Sequence, residues 1–211
     1  MKKTIALYLE IFVVLGLPLF LMGSNHLILA ARPILLAVAG IYCALILRYY
    51  HATYKQVGLT LHNFGSALTT LILPSLVTIL VIMLLLMTVR SDTRLWLIGT
   101  DPLILPSVVM RIIFYIFGSV PVQELLFRSY FTYRLEQVFD SKAWIIGLSI
   151  FVFTLAHVPF KSPVMLLVAL MLGYFYIINY LKYKNLLAII ISHAFVGTVL
   201  ILVRNFYLPY S

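Results

Sequence analysis

The sequence predicts an all-α polytopic membrane protein, a bundle of about eight transmembrane helices with seven as the alternative, and three observations lead there. Of its 211 residues 64% are hydrophobic and only 10% charged, with a mean hydropathy of +1.10; a soluble domain is roughly half apolar and about a quarter charged. Apolar stretches of about 20 residues recur along nearly the whole chain, each long enough to cross a bilayer as a helix. The 15 Lys and Arg that outnumber 6 Asp and Glu sit singly or in pairs at the ends of those stretches, where such charges orient helices against anionic lipid. That placement argues against a nucleic-acid partner, and no soluble domain fits between the apolar runs.

The first run, about 4–22, follows Lys2 and Lys3 but carries Glu10 and lacks a small-x-small cleavage site, so it is expected to stay as a span rather than leave as a signal peptide. Further clear spans are about 27–49, 67–90, 143–158, 163–181 and 185–204, separated by polar breaks such as Ser24-Asn25-His26, Lys161-Ser162-Pro163 and Lys182-Tyr183-Lys184-Asn185. Tyr49, Tyr50, Tyr180, Tyr183, Phe206 and Tyr207 lie at span ends, as interfacial anchors do. Cys43, the one cysteine, excludes intramolecular disulfides and any Cys-based zinc site, and reads as a small apolar residue of its span. With no repeat, low-complexity tract or flexible linker, residues 1–211 are expected to form a single transmembrane domain.

The stretch 102–139 divides in two ways. It contains Arg111, Glu124, Arg128, Arg134 and Glu136 and is interrupted by Gly118-Ser119-Val120-Pro121. One reading takes 108–127 as a single span, seven in all; the other takes 102–118 and 120–139 as separate spans, eight in all. With a cytoplasmic N-terminus, seven spans place nine Lys and Arg inside against five outside, which obeys the positive-inside rule, whereas eight give about six against seven.

Ionisable groups inside apolar spans cost several kcal/mol unless they meet a partner or a polar cavity, so each is a candidate for function. They are Glu10, Arg111, Glu124, Arg128, His157 and His193. Glu124 and Arg128 are four apart and share a helix face, which suits either a neutralising ion pair or a catalytic acid beside its partner. His157 ends an apolar run just before Val158-Pro159, as a hydrogen-bonded cap would, while His193 sits near the middle of a span, where an unpaired imidazole is harder to excuse. One carboxylate and two imidazoles on three helices could activate water and stabilise an oxyanion. They could also hold a metal ion as a two-His, one-carboxylate set; no local zinc motif is present. Glu10 and Arg111 are a possible pair across helices.

The order Gln123-Glu124-x-x-x-Arg128, then Phe153-x-x-x-His157, then His193-x-x-x-Gly197 resembles the CPBP family, the CAAX prenyl protease and bacteriocin-processing (Abi) proteins, whose motifs are Glu-Glu-x-x-x-Arg, Phe-x-x-x-His and His-x-x-x-Asn. The likeness covers roughly residues 105–204, a CPBP-like catalytic core. It implies a glutamate-dependent intramembrane endopeptidase without a metal or other cofactor. Carried over residue by residue, Glu124 and His157 activate water, His193 supports the oxyanion, and Arg128 orients the acidic motif. Gln123 stands where the first glutamate is usual and cannot accept a proton at physiological pH, and Gly197 replaces the asparagine donor. Glu124, about 100° further round the helix, then serves as base with Gln123 in support.

The site bears on the topology. In a hairpin of 120–139 and 143–158 around Asp140-Ser141-Lys142, Glu124 lies 17 residues before Ser141 and His157 16 after it, at nearly the same depth. A span of 108–127 instead puts them roughly 20 Å apart. Eight spans are therefore preferred against the charge count, leaving Lys142, Lys182 and Lys184 outside and His193 deeper than its partners, an offset for helix tilt to absorb.

The function expected is cleavage of a membrane-associated peptide or protein in a bacterial plasma membrane, in peptide maturation, bacteriocin processing or self-immunity. The competing reading is a catalytically inactive membrane adaptor or immunity protein that binds a peptide or sensor. A metal-dependent hydrolase using Glu124, His157 and His193 is a third. A transporter fits least, because no inverted repeat is visible. The partners expected are the bilayer and a peptide or protein substrate, with the oligomeric state left open.

Overall fold

A helix that faces lipid needs no polar face and can instead turn its small and hydroxyl residues inward, where they let helices approach closely. Helix α3 (Phe64–Thr88) does this: it buries Ala67, Leu71, Ser75, Thr78, Ile82 and Leu86, spaced at three and four, and exposes Ile72, Leu73, Leu76, Leu80 and Leu84. The computed structural model describes residues 2–13, 32–88 and 107–207, and among these the chain forms seven helical rods and no strand. The others are α1 (Lys2–Ile11), α2 (Arg32–Tyr49), α4 (Val108–Glu136), α5 (Lys142–Leu155), α6 (Pro163–Tyr183) and α7 (Leu186–Tyr207). Five segments, α3, α4, Lys142–Phe160, α6 and Leu186–Phe206, are long and apolar enough to cross a membrane, and Pro33–Tyr49 is a shorter apolar helix. The chain is a polytopic all-α membrane protein. Residues 14–22 of the expected first span, the break at Ser24-Asn25-His26 and residues 89–106 with Arg90 and Arg94 lie outside the described residues.

Helix α4 corrects the division of 102–139. Gly118-Ser119-Val120-Pro121 does not separate two spans; one helix runs through it. Proline lacks an N–H and crowds the preceding turn, and the helix accommodates this by widening to a π-turn over Tyr115–Ser119, with a second π-turn at Leu125–Tyr130. Gly118 leaves room for the Phe114 ring. At 1.5 Å per residue the helix is about 40 Å long, more than the roughly 30 Å of a hydrocarbon core.

The hairpin that motivated the split is present nonetheless. Helix α4 ends at Glu136, α5 starts at Lys142 and the two pack together, so Glu124 and His157 are nearly equidistant from the turn. The seven-span reading ends the span at 127; Arg128 and Arg134, which follow, are buried in the protein, and α4 continues past them to Glu136.

The pair of Glu10 with Arg111 that the sequence leaves open does not form. Glu10 on α1 takes two hydrogen bonds from Arg134, from Nε at 2.8 Å and Nη2 at 2.7 Å, and one from the Tyr130 hydroxyl at 2.9 Å. Arg111 lies 23 residues from Arg134 on the same helix, about 35 Å away, and α1 packs near the other end. Arg134 also covers the Tyr50 ring at 4.5 Å and reaches Gln137 at 2.5 Å. Arg134→Ala is expected to lower stability by about 2 kcal/mol, between the values for exposed and buried pairs, read as a fall in Tm in detergent; an unchanged Tm would show that α1 is held by apolar contacts alone.

Two apolar clusters make up the core. One joins α2, α4 and α5 through Cys43, Leu126, Phe127, Phe131 and Phe153; the other joins α3, α6 and α7 through Leu71, Leu172, Tyr176 and Ile189. Asn179 ties α6 to α3 through the Ala67 carbonyl and Thr70, and Ser192 on α7 bonds both Ser75 and Tyr176. Asn185 holds the 50–63 loop through the carbonyls of Thr60 and His62. Gly58 is required there, because its φ is +77° and a Cβ would lie 2.7 Å from the Tyr180 ring.

Candidate active site

Among the polar groups placed where the two clusters meet, Glu124 and Arg128 come from consecutive turns of α4, and both side chains are fully buried. Their ion pair is long, 3.5 Å from Arg128 Nε to Glu124 Oε2. The other carboxylate oxygen is held more closely: His193 Nδ1 lies 2.5 Å from Glu124 Oε1. Since an ionised carboxylate only accepts, Nδ1 carries the proton of that bond. The intrahelical pair and the interhelical histidine bond, considered separately from the sequence, are thus one three-residue unit, and the contact from α7 to α4 absorbs the expected difference in depth.

The Arg128 guanidinium lies over the Phe153 ring at 4.4 Å and 5.8 Å from that of Tyr176, one residue from each cluster. None of its three nitrogens makes a hydrogen bond, and Glu124 Oε2 makes none either, among the described residues. The cation is therefore held by the nearby carboxylate and by aromatic faces.

Phe153 explains the spacing of its motif. Its ring touches His193 at 6.0 Å and His157 at 4.9 Å, and its carbonyl receives the His157 Nδ1 proton at 2.8 Å. The bond caps the last turn of α5, so the plain cap reading of His157 is correct as far as it goes. It also sets the tautomer: with Nδ1 donating to a carbonyl, the neutral ring keeps a lone pair on Nε2. His157 and His193 thus flank one phenyl ring, and among the described contacts His157 does not hydrogen-bond to Glu124.

Gln123 does not join the unit. Its amide donates to Ser119 Oγ at 2.7 Å, one turn back on α4. Gly197 is one turn beyond His193 on α7 and faces Tyr115, a residue that no sequence motif singles out. The Tyr115 ring stands edge-on to His193 at 5.9 Å, and its hydroxyl is 3.4 Å from the His193 carbonyl. Tyr176, equally unmarked in the sequence, stacks at 5.7 Å on another side of His193 and reaches the Ser192–Ser75 hydroxyls. The only sequence signal for either is a tyrosine well inside a span, which carries no indication of its partner. Among the described residues no group of three or more His, Cys, Asp or Glu side chains is placed to hold a metal ion.

Comparison with curated proteins and with solved structures gives no match. Residues 105–199, which contain Glu124, Arg128, Phe153, His157 and His193, match the family described as type II CAAX prenyl endopeptidase Rce1-like, so this segment is similar to the CPBP proteins.

Proposed function

We propose that this membrane endopeptidase homologue hydrolyses a peptide bond of a membrane-associated peptide or protein in a bacterial plasma membrane, in peptide maturation, bacteriocin processing or self-immunity, with residues 105–204 as its catalytic core. The observation that carries this reading is the buried Glu124 carboxylate, bound by His193 at Oε1 and making no hydrogen bond at Oε2. Oε2 takes a proton from water while the water oxygen bonds to the scissile carbonyl carbon. His157, whose Nδ1 is committed to Phe153, positions that water through Nε2. The carbonyl electrons move to oxygen, and the resulting oxyanion is supported by His193. Collapse restores the carbonyl and breaks the C–N bond, and the proton on Glu124 passes to the departing amine. In a buried site these fixed groups act more strongly than they would in water.

A second reading, a non-catalytic adaptor or immunity protein that binds a peptide or sensor, draws support from Gln123 and Gly197. The discriminating assay gives purified protein in detergent two quenched-fluorescence peptides, one farnesylated on a C-terminal CAAX cysteine and one unprenylated and amphipathic. Cleavage of the unprenylated peptide supports maturation, cleavage of the farnesylated one alone replaces that role with CAAX processing, and cleavage of neither supports the adaptor. Gln123→Glu is expected to change kcat by less than about threefold if Glu124 is the base. A gain above about tenfold would move the base to position 123.

A further inference from the structure

Gly197 has no side chain, yet the space beside it is filled. A Cβ built there would lie 1.8 Å from the Tyr115 hydroxyl oxygen and 2.2 Å and 2.4 Å from ring atoms Cζ and Cε1, so no residue with a side chain fits at 197 while Tyr115 holds this position. The phenol comes from a different helix, where the π-turn that begins at Tyr115 carries the chain toward Pro121. It arrives one turn from His193 on α7, against the edge of that ring. The hydroxyl's contact with the His193 carbonyl, at 3.4 Å, is longer than an ordinary O–H···O bond of about 2.5–3.0 Å. The proton is therefore weakly committed and can be given to another acceptor at little cost.

We infer that Tyr115 is a catalytic residue of this chain: its hydroxyl supplies, from α4, the oxyanion hydrogen bond that glycine at 197 cannot supply from α7. The inference rests on the hydrolase reading above. Phenol is a suitable donor for this role and in a buried site needs no charge to act. It also accounts for two facts together: the phenol occupies the volume that a side chain at 197 would take, and its ring stands beside that of His193. Gly197 and Tyr115 are then one device, and either residue changed alone should break it.

The test uses full-length protein in detergent and the peptide that wild type cleaves, with Glu124→Gln measured alongside. Tyr115→Phe keeps the ring that fills the space and removes only the oxygen. It is expected to lower kcat by about 10²–10³-fold, with KM changed by less than about threefold and Tm unchanged. Gly197→Ala, which forces the phenol out, is expected to lower kcat comparably. Tyr115→Ala opens the space, and adding Gly197→Asn to it returns an amide donor from α7; this pair is expected to recover at least about tenfold over Tyr115→Ala alone. Tyr115→Phe at wild-type kcat, with Glu124→Gln inactive, overturns the role of Tyr115 and leaves the hydrolase reading standing. A fall in kcat that tracks a fall in Tm, without recovery in the double variant, also overturns it in favour of packing. Wild type that cleaves neither peptide, or no faster than Glu124→Gln, overturns the hydrolase reading and this inference with it.

Discussion

Glu124→Gln is expected to lower kcat for the cleaved peptide by about 10²–10⁴-fold, the range for losing a general base, with KM little changed. The substitution is nearly isosteric, and the amide oxygen can still accept from His193 Nδ1 where Oε1 now does. Positioning therefore survives and proton acceptance does not. A purely structural Glu124 would behave differently, because its neutral amide would leave the rate near wild type wherever the variant remained folded. The measurement is single-turnover cleavage in detergent at a temperature where both proteins are folded. A Glu124→Gln rate within about threefold of wild type would remove Glu124 from the reaction. His157→Ala provides an independent arm: it removes a proposed water-positioning group while leaving the Glu124–His193 contact in place, so it is expected to lower kcat and keep most of the stability.

The parts of this site that can be read from the sequence are those written in local spacing. Glu124 and Arg128 four apart on an apolar helix, Phe153 four before His157, and an imidazole in the middle of a span each indicate their own geometry, because helical rise and the cost of ions in lipid are the same everywhere. Matched distances from a turn also transfer, which is why Glu124 and His157 fall at similar depth about the α4–α5 hairpin.

Pairings between helices have no such record. Glu10 finds Arg134 rather than Arg111 because α1 packs near one end of α4, and nothing within either segment specifies that end. The continuity of α4 is hidden for a related reason. Gly-Ser-Val-Pro marks a break in a regular α-helix, but a π-turn absorbs the missing N–H and alters the register of the residues beyond it. Arg134 has no partner in its own segment to mark it as buried, because Glu10 comes from α1. Tyr115 is invisible because its role depends on what is absent at 197, and the space left by a glycine does not say which distant residue fills it.

Arg128→Met is expected to cost about 3–5 kcal/mol of stability, the penalty for leaving a buried charge without its partner. Methionine retains much of the length and apolar character of the stem over Phe153, so packing changes less than charge does. The variant is left with a fully buried carboxylate whose cation has gone, with His193 as its one hydrogen-bonded partner among the described residues. Glu124→Gln/Arg128→Met removes both charges and is expected to recover most of the loss, since a neutral pair of similar volume is often as stable as the ion pair it replaces. Unfolding in detergent, monitored as Tm across the two single variants and the double, completes the cycle. Equal instability of Arg128→Met and the double variant would assign the loss to the guanidinium on the Phe153 and Tyr176 rings instead. If the cycle closes as expected, the ion pair adds little net stability to the fold. Its consequence is chemical: the pair holds a fixed cation beside the buried carboxylate, and only an ionised carboxylate can take a proton from water.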